Sequence, residues 1–337
     1  ERVTLLGPRN IENGYLIESG FVTSDKNIDI PNSDTIWSLV GNNKLTNQSP
    51  IKLSWTNNQG ITFEKEISLD DKYLFTIKQS VLNSTDNEYD FYSYGQIIRN
   101  KIPEISNFYI LHEGLIATLD DELIEEDYDD IQEKKFSRIS QKGWLGIGDK
   151  YWITSLIPPR ETEFKTTFDY KKKFRVNFIA TEPLELNGKS KIEEELQIIV
   201  AAKRVDIIDG YAESLSIDKF DLVIDWGFLY FITKPLFFGI DYFFKLLGNY
   251  GLAIIAITIC IRLAFFPLAN FSFRSMAKMK ALQPEMVRLK ELHKNDKMKL
   301  QQEMMAIYKK EKVNPMSGCL PILVQIPVFF ALYKVLF

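Results

Sequence analysis

Residues 250–268 form an almost wholly apolar run of 19 residues. A helix of about 20 such residues crosses the roughly 30 Å hydrocarbon core of a bilayer. A second run at 316–337 is as long, although Pro321, Gln325 and Pro327 interrupt it. Proline is tolerated in membrane helices where neighbours satisfy the freed carbonyls. These two runs make a membrane protein the first expectation, and everything else in the sequence arranges itself around them.

Charge divides the chain the same way. Residues 272–315 carry 11 Lys/Arg against 5 Asp/Glu, a net of about +6, while the whole chain is −4. The remainder therefore sums to about −10. A basic segment between two apolar spans is expected in the cytoplasm by the positive-inside rule. The acidic N-terminal region then lies across the membrane from it.

That N-terminal region reads as β. Residues 51–55 and 61–69 flank Asn57-Asn58-Gln59-Gly60, a hairpin signal. Residues 73–82 and 89–98 alternate apolar and polar side chains around a polar turn. Further strands are expected at 108–112, 151–157, 163–170, 174–180 and 193–202. Many short strands with turn-rich spacers point to a β-sandwich. Residues 120–135 are acidic and are expected to form a solvated loop.

A short helical connector is expected at 206–219. Residues 226–247 are apolar and aromatic but carry Lys234, Pro235, Asp241 and Lys245. This pattern suits an amphipathic helix lying in the interface better than a spanning one, with Trp226, Tyr230 and Tyr242 at headgroup depth. A buried helix of a soluble core is the alternative. Between the spans, Met279, Leu282, Met286 and Leu289 recur at helical spacing, as do Leu300, Met304 and Ile307. Asn295 or Asp296 is the expected N-cap of the second helix, and Asn314-Pro315 its end. The two helices make a hairpin on the basic side. Its Met279, Met286, Met304 and Met305 offer an adaptable apolar surface for varied partners, beside simple mutual packing.

Arg262 is the most informative single residue, because a guanidinium at the centre of a spanning helix costs about 2.5–3.5 kcal/mol on insertion scales. It is expected to face water or a partner charge, or else to snorkel to the interface near Pro267. Thr258 lies one turn earlier on the same face. Gln325 in the second span is a third polar candidate. Together they predict a wet, positive recess in the bilayer, with Arg262 docking acidic segments and catalysing nothing.

Other functions find little support. The chain has only His112 and His293, and acid–base catalysis usually pairs histidine with a carboxylate. His112 is expected to be structural. Gly146-Ile147-Gly148 lacks the rest of a dinucleotide loop. No Cys/His cluster suggests a metal, so no cofactor is expected. Cys260 and Cys319 both fall in apolar runs and form no disulfide framework. A transporter or channel with a sugar-binding-like β domain is the alternative, although no internal repeat is visible.

Several runs resemble the Oxa/Alb/YidC family of membrane insertases: Ser275-Met276-Ala277-Lys278-Met279-Lys280, Leu282-Gln283-Pro284, Gln302-Glu303-Met304-Met305, Glu311-Lys312-Val313-Asn314-Pro315, Gly318-Cys319, and Gln325-Ile326-Pro327. Asp225-Trp226-Gly227 and Gly248-Asn249-Tyr250-Gly251 agree upstream, and Gly143-Trp144 and Tyr151-Trp152 more loosely. The resemblance implies a multi-domain protein of the Gram-negative inner membrane. An all-β periplasmic β-supersandwich (1–214) would precede an interfacial connector (215–249), a span (250–271), a cytoplasmic hairpin (272–315) and a second span (316–337), an α-helical transmembrane insertase core. It further implies a hydrophilic groove at Arg262, Thr258 and Gln325. The implied partners are nascent membrane proteins, with members working alone or beside the Sec translocon. The basic hairpin itself suits membrane lipids or a ribosome as further partners. The start at Glu1 and the stop at Phe337 inside an apolar run read as truncation, with the family's first helix and everything after its third lying outside the chain.

Overall fold

The structure, a computed structural model, describes residues 4–103, 111–294, 296–311, 318 and 320–336. The chain divides into two compact units, Glu1–Asp225 and Trp226–Phe337.

The first unit is a sandwich of two antiparallel sheets. Its strands are β1 (Tyr15–Val22), β2 (Ser38–Val40), β3 (Ile51–Thr56), β4 (Ile61–Leu69), β5 (Leu74–Asn83), β6 (Tyr89–Arg99), β7 (Gly114–Leu119), β8 (Glu122–Glu126), β9 (Phe136–Ser140), β10 (Gly143–Gly148), β11 (Trp152–Ile157), β12 (Phe164–Tyr170), β13 (Phe174–Ala180), β14 (Leu184–Leu186) and β15 (Lys191–Ala202). Nine strands run in the order β2-β3-β4-β5-β15-β11-β10-β7-β8. The other sheet runs β1-β6-β13-β12-β9, with β14 added to β6. The hairpin expected at 57–60 joins β3 to β4, with Thr56 opposite Thr62. Asn57 builds the turn: its Oδ1 accepts from the backbone N–H groups of Gln59 and Ile61, both at 2.9 Å.

Alternation explains the two inner cores. Ile77, Leu196 and Ile198 of the larger sheet meet Ile97, Phe168 and Val176 of the smaller. Toward one end, Phe63 and Val81 meet Phe21 and Phe91 instead. The larger sheet is also covered on its outer face, so β7 is buried on both sides and reads as a continuous apolar run. The cover is helix α2 (Val205–Ser214) and a 3-10 turn, Phe220–Val223. Trp144 is fully buried there, edge-on to Phe220 at 5.3 Å between ring centroids. Residues 215–225, grouped in the sequence with the following amphipathic helix, therefore belong to the β unit, because Ile217, Phe220 and Val223 are needed to cover this face. Gly143 has no room for a side chain: its φ is +143° and a Cβ would stand 1.9 Å from the Thr118 carbonyl oxygen.

One expectation here is corrected. The acidic segment 120–135 is not a solvated loop. It contains β8 and helix α1 (Tyr128–Glu133), whose Tyr128 and Ile131 are buried in the main core. The strand expected at 108–112 falls mainly outside the described residues, and His112 itself lies in no strand.

The second unit is helical: α3 (Tyr230–Leu247), α4 (Tyr250–Ala264), α5 (Phe266–Leu292), α6 (Lys297–Lys310) and α7 (Leu320–Leu336). Gly248 ends α3 in the left-handed conformation (φ +65°), its N–H bonded to the Phe244 carbonyl at 2.8 Å. Asn249 then caps α4, accepting from Leu252 N at 3.1 Å. The apolar run 250–268 is not one straight helix. It breaks at Phe265, where α4 and α5 meet at 57°. Pro267 is the physical reason, since its ring clashes with the carbonyl four residues earlier and its nitrogen has no proton to give. Among the described residues no single helix is long and apolar enough to cross a membrane, though the bent pair α4–α5 passes together. Residues 312–317, including the expected helix end at Asn314-Pro315, lie outside the described residues, as do Asn295 and Cys319.

Candidate functional site

Helix α3 packs against both α4 and α7, and small residues let the backbones approach. Thr233 and Ile240 of α3, Ala253 of α4 and Ala331 of α7 are buried. A Cβ on Gly239 would stand 2.8 Å from Ile257 Cδ1 across the α3–α4 contact. The rest of α4 carries large exposed apolar side chains, among them Leu252, Ile255, Ile259 and Leu263. Such a surface suits lipid better than water.

Arg262 interrupts this surface. It lies in the last turn of α4, is exposed, and has no hydrogen-bond or ion-pair partner among the described residues. Its position also favours a cation, because the carbonyl end of a helix is its negative pole. Thr258 is half-buried and donates its hydroxyl to the Ile254 carbonyl at 2.7 Å, within its own helix. Gln325 is half-buried on α7. Thr258 and Arg262 thus share one helix face. No hydrogen bond joins either of them to Gln325 among the described residues.

The basic hairpin is built by α5 and α6. His293 closes α5, and Asp296 caps α6 by accepting from Lys299 N at 3.0 Å. His293 Nε2 stands 3.8 Å from Glu303 Oε1, linking the turn to α6. Met279, Met286 and Met304 are half-buried, whereas Met305 is exposed. Gly318 sits against Met276 and Met279, and Ser272 donates to its carbonyl at 3.2 Å. The exposed methionines are therefore a different set from the one the spacing picked. Met298 at 74 % exposure and Met276 at 37 % join Met305. Met298 stands at the first turn of α6, outside the periodic stripe, so spacing alone passed over it. Arg274, Lys278, Lys280, Arg288 and Lys290 of α5 are all exposed, which gives the hairpin a basic outer surface.

In the β unit, His112 and Arg99 each have close structural partners. The His112 ring stands between Asp127 Oδ1 at 3.3 Å and the Leu115 carbonyl at 3.2 Å. Its backbone N–H donates to Asp225 at 2.9 Å. Arg99 pairs with Asp149 at 2.6 Å, donates to the Tyr128 hydroxyl at 3.2 Å, and lies over the Tyr15 ring. Burial pushes the Tyr15 and Tyr128 hydroxyls well above the usual range, with Arg99 opposing the shift. Among the described residues no group of three metal-ligating side chains comes together.

Comparison with known proteins covers both units. Residues 1–238 match the family described as the YidC periplasmic domain, and residues 242–337 that described as the 60Kd inner membrane protein. The chain is similar to the membrane protein insertase YidC of Pelagibacter ubique, with 74% identity over 100% of this chain and 60% of the relative. It is 44% identical to that of Rickettsia prowazekii, over 99% of this chain and 61% of the relative. It therefore spans about 60% of the length of these curated relatives. A solved structure of an active YidC insertase overlaps it at 15% identity and a TM-score of 0.32, over 89% of this chain and 61% of that one.

Proposed function

This chain belongs to the YidC family, and from that premise we propose that it serves as a membrane protein insertase, with nascent membrane proteins as its substrates. The observation that carries the reading is Arg262, an exposed cation with no partner among the described residues, on a largely apolar helix and three residues before a sharp bend. A hydrophilic tail entering hydrocarbon pays several kcal/mol for each polar group left unsatisfied. A guanidinium partway into the bilayer brings water with it and shortens that path. It also attracts acidic residues in the passing segment.

In this reading Thr258 and Gln325 line the same wet recess, and the recess is a groove rather than a channel. The basic hairpin faces the cytoplasm, as the positive-inside rule requires, and meets clients through Met298 and Met305 before they reach Arg262. Its lysines and arginines contact anionic headgroups, and a ribosome is the further basic-surface partner. Helix α3, with its Asp241–Lys245 pair at 2.6 Å, lies at the interface. The β unit stands in the periplasm, anchored to the inner membrane of a Gram-negative cell. The Sec translocon is the expected companion for clients with large translocated domains.

The test is complementation. Cells depleted of their own insertase receive the complete protein, and insertion of a small membrane protein is followed by protease protection. Restored insertion supports the reading, and no restoration at normal protein levels contradicts it.

A further inference from the structure

Among the described residues of the β unit, the exposed aromatic side chains are Tyr73, Tyr151 and Tyr170, at 61%, 62% and 40% exposure. The unit's other described Trp, Tyr and Phe residues are buried or half-buried. Each exposed tyrosine stands beside a lysine at a turn. Lys72-Tyr73 lies between β4 and β5, and Lys150-Tyr151 between β10 and β11. Tyr170 ends β12, at a hairpin tip of Lys171-Lys172-Lys173.

Strand register brings the three turns to one end of the sandwich. The Tyr73 carbonyl accepts from Val200 N at 3.3 Å and the Tyr151 carbonyl from Lys203 N at 2.8 Å, both at the close of β15. Tyr170 is opposite Phe174, and Phe174 is opposite Arg99 of β6. Arg99 in turn pairs with Asp149, two residues from Tyr151, at 2.6 Å. The chain leaves the unit at this same end. Strand β7 begins here, with Gly114 opposite Gly148, and His112 just before it donates its backbone N–H to Asp225 at 2.9 Å. Trp226 and the apolar, aromatic helix α3 follow in sequence. The far end of the same strands is different. Strand β6 has 11 residues, a length of about 30–35 Å, and the turn that precedes it carries Asp86 and Glu88 but no aromatic residue.

Tyrosine collects at the headgroup level of a bilayer because its ring is apolar and its hydroxyl is not, and lysine can snorkel beside it. Charge alone does not make this face. Asp149 is held by Arg99, and Asp70 accepts from the N–H groups of Lys72 and Leu74 at 2.8 Å and from the Tyr211 hydroxyl at 2.6 Å. Asp71 is exposed, however, as are Asp129 and Asp130 of α1, which packs its Tyr128 on Phe174. The lysines are thus offset, and the rings supply the attraction.

We propose that the turns of Tyr73, Tyr151 and Tyr170 form the face on which the β unit rests against the headgroup layer of a phospholipid bilayer. The rings enter the boundary between headgroups and acyl chains, and Lys72, Lys171 and Lys172 reach phosphates. Zwitterionic lipid suffices for this contact. The proposal rests on the membrane placement read above for the helices, and not on insertase activity.

The experiment uses the full chain with Cys260→Ser and Cys319→Ser, reconstituted into phosphatidylcholine vesicles. A fluorophore is attached at Lys172→Cys or, at the far end, at Asp86→Cys, and is quenched by phosphatidylcholine carrying a nitroxide on its headgroup. Quenching at 172 is expected to exceed that at 86 several-fold. Tyr73→Ser, Tyr151→Ser and Tyr170→Ser together should lower it to the level at 86. Equal quenching at the two positions overturns the proposal, and is what a face built for a protein partner would give. A triple variant quenched as strongly as its parent overturns it too. Should the triple variant fail to fold, the comparison of 172 with 86 decides. Flotation separates this face from the wider reading. A chain that does not float with the vesicles contradicts the membrane placement itself, whereas one that floats with equal quenching overturns this face alone.

Discussion

Thr258 and Arg262 stand one helical turn apart on the same face of α4, yet their polar groups are in opposite states. The threonine hydroxyl is spent on the Ile254 carbonyl, 2.7 Å away in its own helix. The guanidinium is exposed and has no partner among the described residues. A local back-bond hides a hydroxyl from hydrocarbon at little cost. Arginine, with five donors and a permanent charge, has no such escape. Thr258 is therefore tolerable in lipid, whereas Arg262 demands water or an anion. The proposed recess therefore rests on Arg262 more than on Thr258.

The hairpin yields a contrast between methionines. A photoreactive residue at position 305 or 298, where the side chains are exposed, should crosslink to a nascent client. One at position 279, against Gly318, should crosslink several-fold less. Equal yields at 279 and 305 would remove the exposed-methionine surface as the capture face.

Helix α1 is predicted to matter for stability despite its acidic surroundings. Ile131→Ala should cost about 2–5 kcal/mol, the usual range for emptying a buried isoleucine site. Glu133→Gln, on the exposed face, should stay within about 0.5 kcal/mol. Urea denaturation followed by near-UV dichroism reads both.

Why that helix escaped the sequence is instructive. Only Tyr128 and Ile131 mark its inner face, one turn apart, and the acidic residues around them swamp the pattern. The strands were legible because alternation repeats many times, as along β6, and because Asn57–Gly60 states a turn outright. The helices of the second unit were legible from apolar length, with Gly248-Asn249 marking one boundary. The break at Phe265 was not, since Pro267 read as the end of a span rather than the start of a new helix. The inward aim of Lys65 on β4, which lies opposite Gln79 on β5 as Gln79 lies opposite Glu194 on β15, was hidden for a related reason. A lysine within an alternating strand is normally taken as facing solvent, and only the register of three strands shows these residues sharing one inward level.

Lys65 makes a prediction about pH. Burial lowers its folded value to about 8, against an ordinary 10.5. Between those values the unfolded chain holds more protons than the folded one, so this group makes stability rise with pH across that window. Below it the buried charge costs a constant amount. The wild type should therefore gain about 1–3 kcal/mol on Lys65→Met as pH rises from neutral to 10.5. Paired urea titrations across that range measure it, and a difference that stays flat would show that Lys65 is not desolvated.

The most direct measurement of the central claim is insertion of a small membrane protein with an acidic translocated tail, in cells depleted of their own insertase. The complete protein is supplied with Arg262, Arg262→Lys or Arg262→Ala, at matched levels. The account predicts that lysine retains most insertion and that alanine loses roughly tenfold or more, as expected when one charge pairing with the client of about 1.4 kcal/mol or more is removed. Insertion by Arg262→Ala equal to that of the wild type would contradict it, and would move the function away from a positive recess in the bilayer.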